Sequence, residues 1–315
     1  MSNEPETVDL SGDRGFQDVR ESVYHVVFFV CAAVSVLTTA GIIVSLLLPA
    51  IEFFGEVGFA EFFGATQFNA NLQPITFGVL PLAFGTIIVT VGAALVALPL
   101  GLLTAIYLSE YAAPRTRAVL KPLLEILAGV PTVVYGYFAL VYVTPFLDTI
   151  LPVDLGTFNV LSASLVMGIM IIPMVSSISE DSMSAVPDSL RQAGYGIGAT
   201  KFEVSTGVVV PAAVSGIASS FILALSRAIG ETMIVVVAAG QRPNFPEGLG
   251  AVLPKFFEQT QTMTSAMVNL LTSEIAGGTT AYRAVFAIGL TLFVMTFLLN
   301  LVSDVIAQRF QEDYE

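Results

Sequence analysis

Residues 78–108 read GVLPLAFGTIIVTVGAALVALPLGLLTAIYL, a stretch without a single charged side chain. A helix of about 20 predominantly apolar residues is long enough to cross a bilayer, so this stretch predicts a membrane-spanning helix over about 80–108. Its many glycine and alanine residues let neighbouring helices approach closely. Pro81 and Pro99 lie near the two ends of the helix, where a proline disturbs it least.

Five more charge-free runs of similar length lie before and after this stretch: 26–51, 126–147, 155–179, 204–226 and 284–303. Of all residues, 55% are hydrophobic and only 12% are charged, and the mean hydropathy is +0.83. Those values lie outside the range of soluble domains, so the sequence predicts an all-α polytopic membrane protein with six transmembrane helices. The spans are expected at about 24–49, 80–108, 123–146, 158–178, 211–239 and 283–306.

Three local features of these spans and loops are also predicted. The first span should end at Pro49, and Pro131 should bend the third, because a proline inside a helix removes a hydrogen bond. The outer segment 241–281 contains AVLPKFFEQTQTM at 251–263, which should form a short helix that lies along the outer surface.

Polar flanks divide the chain into four parts. Residues 1–23 are acidic and are predicted to form a disordered cytoplasmic tail without the pattern of a cleaved signal peptide. Residues 24–75 hold the first span and an outer loop, and 76–306 form the transmembrane domain with a cytoplasmic elbow at 183–211. Residues 307–315 form a second cytoplasmic tail.

Basic residues predict the orientation in the cell membrane. In a six-span arrangement Arg242, Lys255 and Arg283 fall on one side, and eight basic residues fall on the other: Arg14, Arg20, Arg115, Arg117, Lys121, Arg191, Lys201 and Arg309. Both termini are therefore expected in the cytoplasm. The net charge of −13 and the pI near 4.4 suggest a salt-rich habitat or simply an acidic protein of a mesophile, and argue against nucleic acid as a partner.

The composition leaves little for catalysis. The chain has one cysteine, Cys31, and one histidine, His25, so a metal site built from these residue types is excluded. An intramembrane aspartyl protease would need two aspartates inside the membrane, whereas Asp148 and Asp154 fall in a predicted outer loop. No G-x-x-x-x-G-K-[ST] motif is present to hold a nucleotide. We expect no catalytic residue, no metal site and no cofactor in this chain, so energy for transport has to come from an ion gradient or a separate ATPase.

The predicted cytoplasmic loop, SEDSMSAVPDSLRQAGYGIGATKFEVSTGVVVP over 179–211, has two short helical signatures. Asp188 is a suitable N-cap for the first. Thr200 followed by Glu203 forms a capping-box pattern for the second, and Pro211 stands where the next span begins. Between the two signatures, glycine recurs at Gly194, Gly196 and Gly198. Repeated glycine disfavours helix, so the loop predicts an elbow of two small helices.

This elbow resembles the cytoplasmic coupling motif of ABC-importer permeases, which is E-A-A, three residues, G, nine residues and I-x-L-P. The matching positions here are Gln192, Ala193, Gly194, Gly198, Val208, Val210 and Pro211. The glycine and the proline agree with the motif, whereas glutamine replaces the glutamate, glycine the second alanine, and valine both the isoleucine and the leucine. The resemblance implies that the elbow docks in a groove on an ATPase subunit, with Arg191 as its most prominent charge.

The sequence SRAIGETM at 226–233 places Arg227 and Glu231 in an otherwise apolar region. In a continuous helix the two side chains would share one face, about 6 Å apart along the axis. One reading is a mutual ion pair, and a second is a span that ends near Arg227 with 232–240 re-entrant or outside. A third is a polar path in which Arg227 donates two hydrogen bonds to a tetrahedral oxyanion and Glu231 holds Arg227 between substrates.

The segments ALSRAIGETM, GYGIGATKFEV, EILAGVPTVVYGYFAL and 78–112 are similar to the membrane subunits of phosphate-import ABC transporters, over roughly 78–240. Met233 favours the PstC-type subunit over the PstA-type subunit. The resemblance implies a MetI-like fold, a PstA-type second permease, two ATPase copies that bind the ATP, and an extracytoplasmic phosphate-binding protein. Two alternatives remain: a permease for molybdate, tungstate or sulfate, or a gradient-driven anion carrier with Glu231 as proton relay.

Overall fold

A computed structural model describes residues 14–70, 73–273 and 275–309, which are mostly helical. The α-helices are α1 (Arg14–Val57), α2 (Phe59–Gly64), α3 (Leu80–Ile106), α4 (Pro114–Ala128), α5 (Thr132–Phe138), α6 (Thr144–Ile150), α7 (Val160–Ser184), α8 (Asp188–Gly196), α9 (Lys201–Val204), α10 (Val210–Ala212), α11 (Val214–Ile229), α12 (Met263–Thr272) and α13 (Thr280–Arg309). The strands β1 (Phe68–Asn69) and β2 (Thr76–Phe77) form an antiparallel hairpin, with Phe68 opposite Phe77. Single π-helical turns cover Tyr107–Tyr111, Ala139–Val143, Ser205–Val209 and Val235–Ala239, and 3₁₀ turns cover Leu249–Ala251 and Pro254–Phe257.

The described residues contain five helical segments that are long and apolar enough to cross a bilayer: Val19–Val57, Leu80–Tyr111, Thr132–Ile150, Val160–Ser184 and Thr280–Val302. The pair Lys201–Ala212 and Val214–Ile229, bent by 71°, makes a sixth when it is counted as one crossing. The chain is thus an all-α integral membrane protein with five or six candidate spans, and the predicted six agrees with the upper count.

The prolines act differently from the prediction. Helix α1 continues through Pro49 to Val57, since a membrane helix tolerates a proline when neighbouring groups satisfy the freed carbonyl. At Pro131 the chain breaks completely, because this residue is extended (φ −56°, ψ 133°) and stands before α5. The basic segment between the second and third predicted spans forms the helix α4 ahead of the break.

The tail predictions lie mostly outside the described residues. Residues 1–13 and 310–315 belong to the undescribed parts of the chain, and α1 already begins at Arg14. The helix therefore extends into the segment assigned to the disordered tail at 1–23.

The core lies where α3, α7 and α11 pack together. Small residues bring α3 and α7 into close contact, since a Cβ atom added at Gly101 would lie 2.6 Å from Val175 and one at Gly92 would lie 2.6 Å from the Ser164 hydroxyl. A second apolar cluster contains the end of α1 together with α12 and α13, and within it Phe53 of α1 packs edge to face against Phe62 of α2. The predicted close approach along span two is therefore present.

The segment 241–281, which was predicted to lie outside the membrane, enters the core instead of lying on the surface throughout. Residues 260–266 are buried, and the Met263 N–H donates to the Thr86 hydroxyl oxygen at 3.0 Å. The approach depends on Gly85, because a Cβ atom there would lie 2.3 Å from the Gln261 carbonyl oxygen. Nothing near 260 in the sequence signals that contact, so the surface-helix prediction was wrong for this part.

Candidate functional site

The fifth span is broken in the middle of SRAIGETM. Helix α11 ends at Ile229, Gly230 follows as its C-cap, and Glu231 and Thr232 are non-helical before the chain becomes helical again at Met233. Arg227 lies in the last turn of α11, whereas Glu231 lies beyond it. The predicted arrangement on one face of a continuous helix is therefore wrong, and the reading in which the span ends near Arg227 describes the backbone better.

Glu231 caps the helical segment that follows the break. Its buried carboxylate accepts hydrogen bonds from the N–H groups of Met233 at 3.1 Å and Ile234 at 3.5 Å. Its backbone carbonyl accepts a hydrogen bond from the Thr264 hydroxyl at 2.8 Å. A carboxylate at this position satisfies N–H groups that a helix start leaves unpaired and compensates the positive end of the helix dipole.

Arg227 has no such partner. Its side chain is exposed, and in the described part of the chain no ion pair or hydrogen bond involves its guanidinium. The mutual ion pair with Glu231 is consequently not formed, and Glu231 does not hold Arg227 as expected. The two charged residues of the motif have separate surroundings.

Arg227 lines a cavity of about 380 Å³ between α4, α7 and α11. The apolar part of its wall comes from α4 and α7, including Leu124, Met170 and Pro173. Its polar and charged wall residues are Lys121, Glu125, Ser177, Glu180 and Arg227.

An ion network joins the first half of α4 to the C-terminal end of α7. Glu180 is completely buried and pairs with Arg117 and, at 2.9 Å, with Lys121. Lys121 also contacts the exposed Asp181 at 3.0 Å, and the Ser184 hydroxyl donates to Glu180 at 3.0 Å. The hydrogen bonds with Glu180 and Asp181 raise the pKa of Lys121 above its ordinary value, so the ammonium stays charged at neutral pH.

Sequence reasoning missed this network. The available signal was the pair of basic residues four positions apart, Arg117 and Lys121, together with two adjacent acidic residues at the end of a span. Burying a carboxylate such as Glu180 is costly unless it is paired, so those four residues pointed to a contact across α4 and α7.

The elbow has the predicted form. Gly198 adopts φ +87°, a left-handed conformation that favours glycine, and it turns the chain between α8 and α9. Thr200 and Glu203 form a capping box in which the Thr200 N–H donates to the Glu203 carboxylate at 2.7 Å. Two details are corrected. Pro187 is the N-cap of α8 and Asp188 lies inside its first turn, and α8 continues through Gly194 to Gly196, so of the three glycines that were predicted to break the helix only Gly198 lies outside it.

Arg191 ties the elbow to the membrane domain. Its guanidinium donates to the carbonyl oxygens of Met183 at 2.8 Å and Val186 at 2.5 Å. It also pairs with Glu110 at 3.1 Å and with Asp188 at 3.2 Å. The side chain is only 15% exposed, so the expectation that Arg191 is the most prominent charge of the elbow surface was wrong, because those internal acceptors occupy it.

The surface of the elbow carries the exposed charges of Asp188, Lys201 and Glu203 beside uncharged residues. Gln192, Ala193 and Pro211 are exposed, and Ile197 is 87% exposed. Gly194 lies on the inner side, where an added Cβ atom would meet Val204 at 2.9 Å. The six predicted coupling residues thus divide into an exposed group and an inner group, with Gly194 and Arg191 on the inside.

Comparisons with known proteins agree with this architecture. The family described as "Binding-protein-dependent transport system inner membrane component" matches residues 97–313. The chain is 31% identical to the "Probable ABC transporter permease protein YqgH" of Bacillus subtilis over 281 residues, which is 89% of this chain and 88% of the relative. It is 30% identical to the "Phosphate transport system permease protein PstC" of Mesorhizobium japonicum over 309 residues, which is 92% and 90%.

Solved structures show the fold. A bacterial ABC transporter involved in the import of the acidic polysaccharide alginate superposes with a TM-score of 0.62, covering 95% of this chain and 100% of that chain at 14% identity. The MetNI methionine ABC transporter, in an inward-facing conformation, superposes with a TM-score of 0.53, covering 75% and 95% at 16% identity. The fold is therefore that of the MetI-like permeases, as the sequence predicts.

Proposed function

The chain belongs to the family of binding-protein-dependent transport system inner membrane components, and from this membership we propose that it is the permease subunit of an ATP-driven importer of inorganic phosphate. Relatives named as PstC phosphate permeases match it at 28–30% identity over most of its length, which supports the substrate. Family membership makes the chain a transport component and not an enzyme. ATP is bound by a separate ATPase pair in this proposal.

The proposed complex contains this PstC-type chain, a PstA-type permease, two ATP-binding subunits and an extracytoplasmic phosphate-binding protein. The permease crosses the cell membrane with both termini in the cytoplasm, which is the orientation that the basic residues favour. No nucleic acid takes part. The binding protein delivers phosphate to the outer face, and the two permeases form the translocation path.

Arg227 is the proposed anion contact, and its unpaired guanidinium is the observation that carries this proposal. A charged side chain near the middle of a membrane protein costs at least about 2.5–3.5 kcal/mol when it faces lipid, so an exposed, unpaired arginine belongs in a water-filled path. Its planar fork suits a tetrahedral oxyanion. Glu231 contributes indirectly, because its capping bonds fix the break that ends α11 beside Arg227.

The elbow is the proposed contact with the ATPase. Gln192, Ala193 and the exposed Ile197 offer a surface for docking, and Gly198 sets the turn. The helical stretch Lys201–Ala212 then leads through Pro211 into the 71° bend before α11. Movement of the elbow on ATP binding would reach the helix that carries Arg227. Gly194 and Arg191 act from the inner side by holding the elbow in place.

Uptake of labelled phosphate into proteoliposomes tests the proposal, with the complete transporter and with ATP on the ATPase side. Arg227→Gln should abolish uptake while the subunits still co-purify, because the substitution leaves the elbow unchanged. Arg242→Gln is the matched control, since Arg242 is also exposed and without an ion pair in the described chain but lies outside the Arg227 cavity. Normal uptake by Arg227→Gln would refute the anion contact.

Two further arms of the same assay separate the alternatives. Excess molybdate or sulfate should leave phosphate uptake unchanged, whereas strong competition would assign the path to another oxyanion. Uptake that continues without ATP, driven by an imposed ion gradient, would favour a gradient-driven carrier over the proposed importer.

A further inference from the structure

The cavity beside Arg227 has a second cation at its cytoplasmic end. Lys121 on α4 lines the same cavity of about 380 Å³ as Arg227 on α11, and it also lines the neighbouring cavity next to Arg117 and Pro114. It therefore stands between the space reached by Arg227 and a more open space near the cytoplasmic end of α4. Resting on the proposed function, we propose that Lys121 is an inner anion-contact residue, which receives the oxyanion after it leaves Arg227.

The bonding of Lys121 leaves room for an anion. An ammonium group has three N–H donors, and Lys121 uses two of them, toward Glu180 at 2.9 Å and Asp181 at 3.0 Å. Its side chain is 31% exposed, and Asp181 is 63% exposed. Exposed ion pairs contribute little net free energy, so an arriving oxyanion can displace Asp181 at small cost.

Glu180 keeps this contact weak. The carboxylate is buried and already neutralises part of the charge on Lys121, so the lysine does not present a full isolated charge to the anion. A site on a pathway has to bind strongly enough to accept the ion and weakly enough to release it. Glu125, which lines both cavities, adds a repulsive charge that helps release.

Arg117 provides a matched control for the test. Both Arg117 and Lys121 pair with Glu180, but only Lys121 lines the cavity that contains Arg227. If the two residues serve only to neutralise Glu180, their replacement should have similar effects on transport. If Lys121 contacts the anion, its replacement should lower transport selectively.

The experiment measures initial rates of labelled phosphate uptake by the complete transporter in proteoliposomes, together with ATPase activity and subunit co-purification. Lys121→Gln should transport about tenfold more slowly or worse, as expected for the loss of one hydrogen bond to a charged group. Lys121→Arg should keep most of the rate, and Arg117→Gln should stay close to wild type with normal assembly.

The double variant Lys121→Gln, Glu180→Gln separates anion contact from charge compensation. It removes the charge of the buried carboxylate together with the charge of Lys121. The double variant can therefore still be measured if Lys121→Gln alone fails to assemble because it leaves Glu180 with too little compensating charge. A persistent transport defect in the double variant supports the inference. Recovery of wild-type uptake, or equal effects of Lys121→Gln and Arg117→Gln, overturns it. In either of those cases phosphate uptake by the wild type leaves the proposed function intact, whereas a wild type that imports no phosphate refutes both.

Discussion

The contact between Glu110 and Arg191 should decide whether the elbow stays docked on the membrane domain. Glu110 lies in the π-helical turn Tyr107–Tyr111 that ends the second span. Its side chain is 5% exposed, and that of Arg191, on α8 of the elbow, is 15% exposed. The distance from Arg191 Nη2 to Glu110 Oε1 is 3.1 Å. The perturbation is Glu110→Gln, which keeps the size of the side chain and removes its charge.

The magnitude follows from the burial of the pair. Removing one partner of a buried ion pair costs about 3–5 kcal/mol. Arg191 retains the carbonyl oxygens of Met183 and Val186 as acceptors, and glutamine still offers an amide oxygen, so the lower end applies. A loss of about 3 kcal/mol corresponds to a roughly hundredfold shift toward the undocked elbow.

Hydrogen–deuterium exchange of the assembled transporter measures this shift directly. The amides of α8 should exchange roughly a hundredfold faster in Glu110→Gln, because exchange reports the population of locally opened states. ATP hydrolysis should continue with less phosphate imported per ATP. Asp188→Asn is the control, since Asp188 pairs with the same arginine at 3.2 Å but is 85% exposed, and an exposed pair is worth about 0–1 kcal/mol.

The reasoning would be refuted by either of two results. If Glu110→Gln leaves α8 exchange unchanged, the buried pair does not hold the elbow. If Asp188→Asn accelerates exchange as much as Glu110→Gln, burial does not determine the strength of these contacts.

Three more predictions concern backbone and packing. Gly198→Ala should lower the free energy of unfolding by about 1–2 kcal/mol because residue 198 has a positive φ, and it should lower ATP-dependent uptake. Gly196→Ala is the control, since its added Cβ meets no neighbouring atom. Equal effects of the two variants would contradict the argument that the turn requires glycine. Glu231→Ala should lower the midpoint of unfolding, because it removes a helix cap worth about 1 kcal/mol. Glu231→Gln should lower the midpoint less, so identical midpoints for the two variants would exclude capping. Gly85→Ala should destabilise the folded protein by about 1–3 kcal/mol, because the added methyl group is too close to the Gln261 carbonyl oxygen. An unchanged melting curve would show that the segment around Gln261 can move away from α3.

The sequence allowed prediction of those features that arise from local patterns. A charge-free apolar run has only one way to satisfy its backbone inside a bilayer, which is to form a helix, so every span was found. The bounds are less accurate: spans expected at 24–49, 123–146 and 211–239 correspond to Val19–Val57, Thr132–Ile150 and the bent pair Lys201–Ala212 and Val214–Ile229. The elbow was found because glycine at 198 and the Thr200–Glu203 pair act on neighbouring backbone groups. Both signals depend on residues close together in the chain.

The missed features depend on residues far apart in the chain. The burial of 260–266 requires the missing side chain of Gly85, and the burial of Glu180 requires two cations on α4. The surroundings of Arg191 likewise depend on Glu110, which lies 81 positions earlier. A hydrophobic periodicity or a local motif contains no information on which distant residues come into contact. The sequence therefore pointed to residues such as Arg191 without identifying the residues that bind them.

The break in span five explains how an arginine and a glutamate can be retained together without pairing. A cation is stabilised near the C-terminus of a helix and an anion near the N-terminus; Arg227 lies in the last turn of α11, and Glu231 caps the segment after the break. Each charge is thus compensated by a helix end, and neither needs the other. Because Glu231 occupies the N–H groups of Met233 and Ile234, these groups are not available to a substrate anion, although the N-termini of broken helices serve that purpose in other transporters. The guanidinium of Arg227, unpaired among the described residues, remains a donor beside the break, and this supports the proposal that Arg227 contacts the anion while Glu231 positions the break.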